Sequence, residues 1–252
     1  MLYLRSGLGV GALLATTLLT RANLLTIDSV IGGVPTGVNY LNFNDLSVGA
    51  QGAMKTAGNA DVVVVTVSGN AGVVTGAKSG KYAAPYLSND QGSLFDGHKD
   101  GVDTSVYLTT GSTSGGGAIR LDFSHDQRYL GLLWGSVDSY NKLAFYDASD
   151  NLLGFITGRD VLSSPVGDQG AKGTAYVNIL SEKPFDHVIA SSDGFAFEFD
   201  NVAYNQRPLN VPDNGYSFLL LGVGAAGVAC WRRWARPVAT VAAVEMRSAP
   251  GA

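Results

Sequence analysis

The chain has 252 residues, 46% hydrophobic and only 15% charged, with 33 glycines and a formal net charge of -4. That length is enough for one sizeable folded body, and the acidic balance, with no basic stripe in the body, excludes a nucleic-acid partner. A single cysteine, Cys230, excludes an intramolecular disulfide, and the scattered His98, His125 and His187 exclude a structural zinc site of the usual Cys/His kind.

In chain order, Met1 to Ala22 carries Arg5, then the apolar run GLGVGALLATTLLT, then small residues. This pattern predicts a secretory signal peptide over residues 1–22, helical while it is attached and cleaved after Ala22. Left uncleaved, the same segment would serve as an anchor.

Residues 31–207 read as a β domain. Asp61 to Ser68 (DVVVVTVS) is a β-branched run of the type found in a fully buried strand. Gly80 to Asp103 reads as a long irregular loop with Asp90, Asp96, Asp100 and Asp103, either a solvated acidic loop or a Ca2+ site. Strands then follow at short intervals: Ser105 to Thr110, Ala118 to Phe123, Tyr129 to Gly135, Lys142 to Asp147, Asn151 to Thr157, Thr174 to Leu180, His187 to Ser191 and Phe195 to Tyr204. Ile119, Leu121 and Phe123 alternate with Arg120 and Asp122, and Phe195, Phe197 and Phe199 alternate with Ala196, Glu198 and Asp200. Each set predicts one apolar face inward and one polar face outward. The fold expected is mainly β, a two-sheet β-sandwich of jelly-roll type, flanked by the N-terminal signal helix and a C-terminal transmembrane helix.

The tail has three parts in order over residues 211–236: the turn Val211-Pro212-Asp213-Asn214-Gly215, an apolar run from Tyr216 to Trp231, and the basic cluster Arg232, Arg233 and Arg236. As a helix the run spans roughly 24 Å, short of the ~30 Å hydrocarbon core unless its flanks contribute. The arginines belong on the cytoplasmic side. Residues 237–252 form a further tail. Gly222, Gly224 and Gly227 spell GxGxxG, but no strand precedes them, so a dinucleotide site is not expected.

This tail resembles the sorting signal of bacterial exosortase-dependent surface proteins, the PEP-CTERM class, in its variant with a VPDSG-type motif. Val211, Pro212, Asp213 and Gly215 match that motif, Asn214 replaces its serine, and Arg232 and Arg233 follow the apolar run. The runs Asp126 to Asp147, Gly167 to Ile179 and Phe195 to Tyr204 look like the body of a group of these proteins. The resemblance implies an exosortase-type sorting enzyme as partner. It also implies an inner-membrane anchor before processing, and then the cell surface or an extracellular polysaccharide matrix.

Three chemistries are worth placing in the body. If the first and last strands lie side by side, Asn44, Asp45, Asp200 and Asn201 offer oxygen ligands for Ca2+, or they cap turns and bond neighbouring backbone. Tyr82, Tyr86, Trp134, Tyr140 and Tyr146 are plates of the type that stacks on sugar rings, with Asp138 and Asn141 near Trp134 and Tyr140 in sequence; Trp134, in LGLLW, reads equally as core. Hydrolysis has little to draw on: no GxSxG elbow is present, and the glutamates before the tail are Glu182 and Glu198. The function expected is that of an exported, non-enzymatic surface or matrix protein. The alternative is a carbohydrate-binding module attached to surface polysaccharide.

Overall fold

The structure, a computed structural model, describes residues 24–29, 35–56, 61–87, 101–111 and 116–209. The signal peptide, the sorting motif Val211 to Gly215, Arg232, Arg233, residues 237–252, Cys230, His98, Asp90, Asp96 and Asp100 lie outside the described residues.

The body is mainly β. It has one large antiparallel sheet, a second sheet of two strands, and a single short helix, α1 (Gly158–Val161), among the described residues. Two long strands organise it, β9 (Gly117–Gly135) and β12 (Ala175–Ser192). The sequence predicts each of them as two strands separated by a turn. Instead each runs on through a polar midpoint, Ser124 to Asp126 in β9 and Glu182 to Pro184 in β12, with register shifts between Leu180 and His187. A proline is tolerated in such a bulge because the ladder is already interrupted there.

The two ends of these strands have different neighbours. In the first half, β3 (Gly52–Thr56), β4 (Val62–Gly69), the start of β9, the end of β12, β10 (Asn141–Tyr146) and β11 (Leu152–Thr157) pair in that order. In the second, β1 (Leu25–Ser29) pairs with the start of β12, which pairs with the end of β9, which pairs with β13 (Phe197–Asn205). The other edge of β13 takes β8 (Val106–Thr110) beside its first residues and β2 (Asn39–Leu41) beside its last, and β8 pairs with β5 (Gly72–Thr75). Strand β1 extends the body beyond the residue-31 boundary expected from sequence. No described helix is long and apolar enough to cross a membrane.

Both halves contribute to one apolar cluster. The Phe123 ring of the first half lies 5.1 Å from the Tyr204 ring of the second, and Phe185, at the bend of β12, meets Phe123 at 5.7 Å and Phe145 at 5.0 Å. Burying a side chain of this size contributes about 1.5–3 kcal/mol. A second cluster of Val38, Leu87, Tyr129, Leu133, Tyr176 and Ala203 covers the opposite face of the second half. Two departures from the sequence reading are found on this side. The end of β9 is buried at every position from Tyr129 to Gly135, and Glu198 and Asp200, expected on a polar outer face, are 1% and 0% exposed. In β4 the reverse holds: Val63, Val65 and Val67 are buried while Val64 and Thr66 are exposed, so this strand is half-buried.

The loop expected from Gly80 to Asp103 contains the two-stranded sheet, β6 (Tyr86–Leu87) with β7 (Gly101–Val102). Asp103, at its end, is 1% exposed.

Candidate functional site

The end of the second half, where β9 stops and β13 begins, holds a cavity of about 1000 Å³. One wall is the turn from Lys78 to Tyr82, closed by backbone bonds from Lys78 N–H to Tyr82 O (2.9 Å) and from Tyr82 N–H to Lys78 O (3.1 Å). A second wall is the β9–β10 turn with Ser136, Asp138 and Tyr140, and a third is the approach to β13 through Asp193 to Ala196. A smaller cavity of about 400 Å³ shares Lys78, Lys81, Tyr82 and Phe195 with the first and so adjoins it. The larger volume is that of a small-molecule or oligosaccharide site.

Glu198 lies at the floor. Its Oε1 accepts the Ala83 N–H at 2.9 Å, and its Oε2 accepts the Ser136 hydroxyl. Burial raises its carboxyl to about 7, against the pull of these two hydrogen bonds. Asp138 is also raised, by burial first, with the Tyr140 hydroxyl opposing. That hydroxyl lies 2.8 Å from Asp138 Oδ2 and 2.7 Å from Phe195 O but has one proton to donate. The proton is shared between these two acceptors, which holds the hydroxyl in place while the residue stays 38% exposed.

Asn141 holds the turn beneath. Its Oδ1 accepts Asp138 N–H at 2.8 Å and Trp134 Nε1–H at 3.3 Å, while its Nδ2 donates to Ser192 Oγ at 3.0 Å and Ala196 O at 2.9 Å. All four of its hydrogen-bonding positions are used, by two stretches of chain, 134–138 and 192–196.

Of the aromatic residues singled out by sequence, Tyr82 and Tyr140 line the groove together. Trp134 is 0% exposed and stacked on Phe197 at 4.2 Å, so it presents no face to a ligand. Tyr86 is half-buried in the two-stranded sheet. Tyr146 lies elsewhere, stacked on His187 at 5.0 Å. Sequence reasoning named Tyr82, Asp138 and Glu198 but missed that the 78–83 turn closes over the two carboxylates. Glu198 sits at an alternating position that reads as solvent-facing until its partners at 83 and 136 are known.

The expected oxygen cluster comes together in part. Asn44 Oδ1 accepts Val106 N–H at 3.2 Å, and Asp200 Oδ2 lies 3.1 Å from the neighbouring Ser105 hydroxyl. Asp103 Oδ1 accepts from the Ser105 hydroxyl at 2.6 Å and from its N–H at 2.8 Å. Asp103 Oδ2 and the side-chain oxygen of Asn201 are buried without a hydrogen-bond partner. Asp45 is exposed. These donors are all oxygen, the set that suits a hard cation such as Ca2+. No protein-family model and no curated protein sequence matches the chain.

Proposed function

We propose that the chain is an exported surface or matrix protein whose β body holds a saccharide in the groove between Tyr82 and Tyr140. The observation that carries this reading is that two tyrosines from distant segments line one cavity together with Asp138, Gln169, Lys78 and Lys81. Aromatic plates flanked by a few fixed polar groups suit a sugar ring, which is apolar on its faces and polar at its edge. The role is binding and not turnover. Glu198, the one glutamate at the site, has both oxygens engaged by protein donors and 1% exposure, which suits holding the groove's walls together.

The address rests on the tail. Val211-Pro212-Asp213-Asn214-Gly215, the apolar run and Arg232-Arg233 support recognition by an exosortase-type enzyme at the inner membrane, followed by release to the surface or matrix. The sharing of one apolar cluster by both halves of the large sheet supports a two-layer, jelly-roll-like sandwich as the body. Asp103, Asp200 and Asn201 would brace it through Ca2+ in place of disulfides.

Calorimetric titration of the full chain with a panel of neutral and acidic oligosaccharides tests the binding role. Saturable binding to one class is expected, weakened about tenfold or more by Tyr82→Ala and by Tyr140→Ala and unchanged by Tyr146→Ala. Equal affinity in all three variants, or no binding across the panel, sinks it. The intact mass of protein recovered from the native cell surface tests the address, with an end between Val211 and Gly215 expected. A chain that still runs to Ala252 would leave only an anchor.

A further inference from the structure

We propose that the outer face of the first half carries a site for a divalent d-block cation such as Zn2+, built from His187, Asp122 and Asp186 and independent of the saccharide groove. Asp122 lies directly opposite His187 across the β9–β12 ladder, and Tyr146 lies opposite it on the other side in β10. Asp186 precedes His187 in the strand, and Asp150 reaches the ring from the β10–β11 turn. One ligand atom from each of Asp122, Asp186 and His187 falls within 4.8 Å of the others. Two atoms bound at ~2.0–2.2 Å to one ion lie roughly 3.3–3.8 Å apart at tetrahedral to trigonal angles, so side-chain movements of up to about 1.5 Å close the set. Asp122 and Asp186 are half-buried, not locked in the core.

The imidazole supplies the independent argument. His187 is 1% exposed and is held under the Tyr146 ring at an interplanar angle of 5°. Its Nδ1 lies 2.9 Å from Asp186 Oδ1, while its Nε2 is buried without a hydrogen-bond partner, the nearest carboxylate oxygen being Asp150 Oδ1 at 3.4 Å. A neutral imidazole has one N–H. Its single N–H serves one ring nitrogen and leaves the other with a lone pair among carboxylates, a place that a cation can take.

The carboxylates also favour a cation. Arg120 pairs through Nε with Asp122 at 2.6 Å and through a terminal nitrogen with the exposed Asp150 at 3.6 Å, while Asp186 faces the imidazole, so an ion among Asp122, Asp186 and His187 meets two carboxylates at once. Imidazole with carboxylates suits Zn2+ and its neighbours, whereas Ca2+ takes oxygen alone. A carboxylate on the ring nitrogen that does not bind the metal orients the ring, the arrangement common around metal-bound histidines.

The test is calorimetric titration of the chelator-stripped full chain with ZnCl2 at pH 7.5, with CaCl2 as competitor, and NMR observation of the His187 ring. Expected are one Zn2+ bound through His187 at micromolar affinity or tighter, no displacement by Ca2+, shifted His187 resonances, and at least tenfold weaker binding in His187→Gln and Asp122→Asn. Zn2+ bound equally by both variants, through Cys230 or elsewhere, overturns the site. So does a His187 ring that keeps both protons at pH 7.5 with Zn2+ present. If His187→Gln fails to fold, Asp122→Asn and the His187 resonances decide the question.

Discussion

Glu198 Oε1 accepts the backbone N–H of Ala83 at 2.9 Å across 115 positions of sequence, fastening one wall of the groove to the strand that forms its floor. Burial raises this carboxyl from 4.5 to about 7. Between those values the folded chain keeps a proton that the unfolded chain releases, so stability is full below about 4.5 and falls as pH rises through 7. The whole shift corresponds to roughly 3 kcal/mol at about 1.4 kcal/mol per unit. Glu198→Gln keeps an acceptor for Ala83 and offers a donor to Ser136. Melting temperatures from pH 4 to 8 should decline across this window in the wild type and much less in the variant, which should be at least as stable above pH 7. Parallel curves would exclude Glu198 as the titrating group.

Trp134→Ala removes a fully buried ring stacked on Phe197 and should cost about 3–5 kcal/mol in denaturant unfolding. Trp134→Phe keeps most of the packing but leaves Asn141 Oδ1 with one donor fewer, and should cost about 1–3 kcal/mol. Saccharide affinity measured on the folded fraction of Trp134→Phe should match the wild type. A tenfold loss would place Trp134 in the binding surface.

Asn141→Asp sets a carboxylate oxygen against Ala196 O where an N–H2 group donated before. With Asn141 0% exposed, the loss should exceed 2 kcal/mol at pH 7 and shrink on acidification, as a protonated carboxyl can donate again. Chemical denaturation at pH 4.5 and pH 7.5 gives the comparison.

Calcium should raise the melting temperature through Asp103 and Asp200, and chelation should reverse the rise. Ligand at a hundredfold excess over Kd adds about 2.7 kcal/mol. Asp103→Asn should abolish the calcium response while leaving Zn2+ binding at His187 intact. A response equal to wild type would move the calcium elsewhere.

The residues decide how much of this was legible beforehand. Ile119, Leu121 and Phe123 alternate because their sheet face is buried on one side only, and the period of two shows it directly. Ser124 to Asp126 and Glu182 to Pro184 read as turns because polar residues and a proline usually end strands, whereas here they mark bends in strands that continue. Glu198 and Asp200 obey the same alternation as Asp122, yet they are buried: Ala83 and Ser136 close over Glu198, and the second apolar cluster lies beside Asp200 through Leu133. No local pattern contains that cover. Tyr82 and Tyr140 were identifiable as amphipathic aromatics, but their meeting in one groove depends on contacts between segments far apart in the chain.

The last strand has a mechanical consequence. β13 is hydrogen-bonded to β9 on one edge and to β8 and β2 on the other, and the polypeptide leaves the sheet just beyond Asn205. Tension applied to the C-terminal side along the strand axis therefore loads both ladders in shear, so that many hydrogen bonds must yield together instead of peeling one at a time. A body tethered by this end would hold against flow or swelling of its surroundings with the part of its fold that is bonded on two sides.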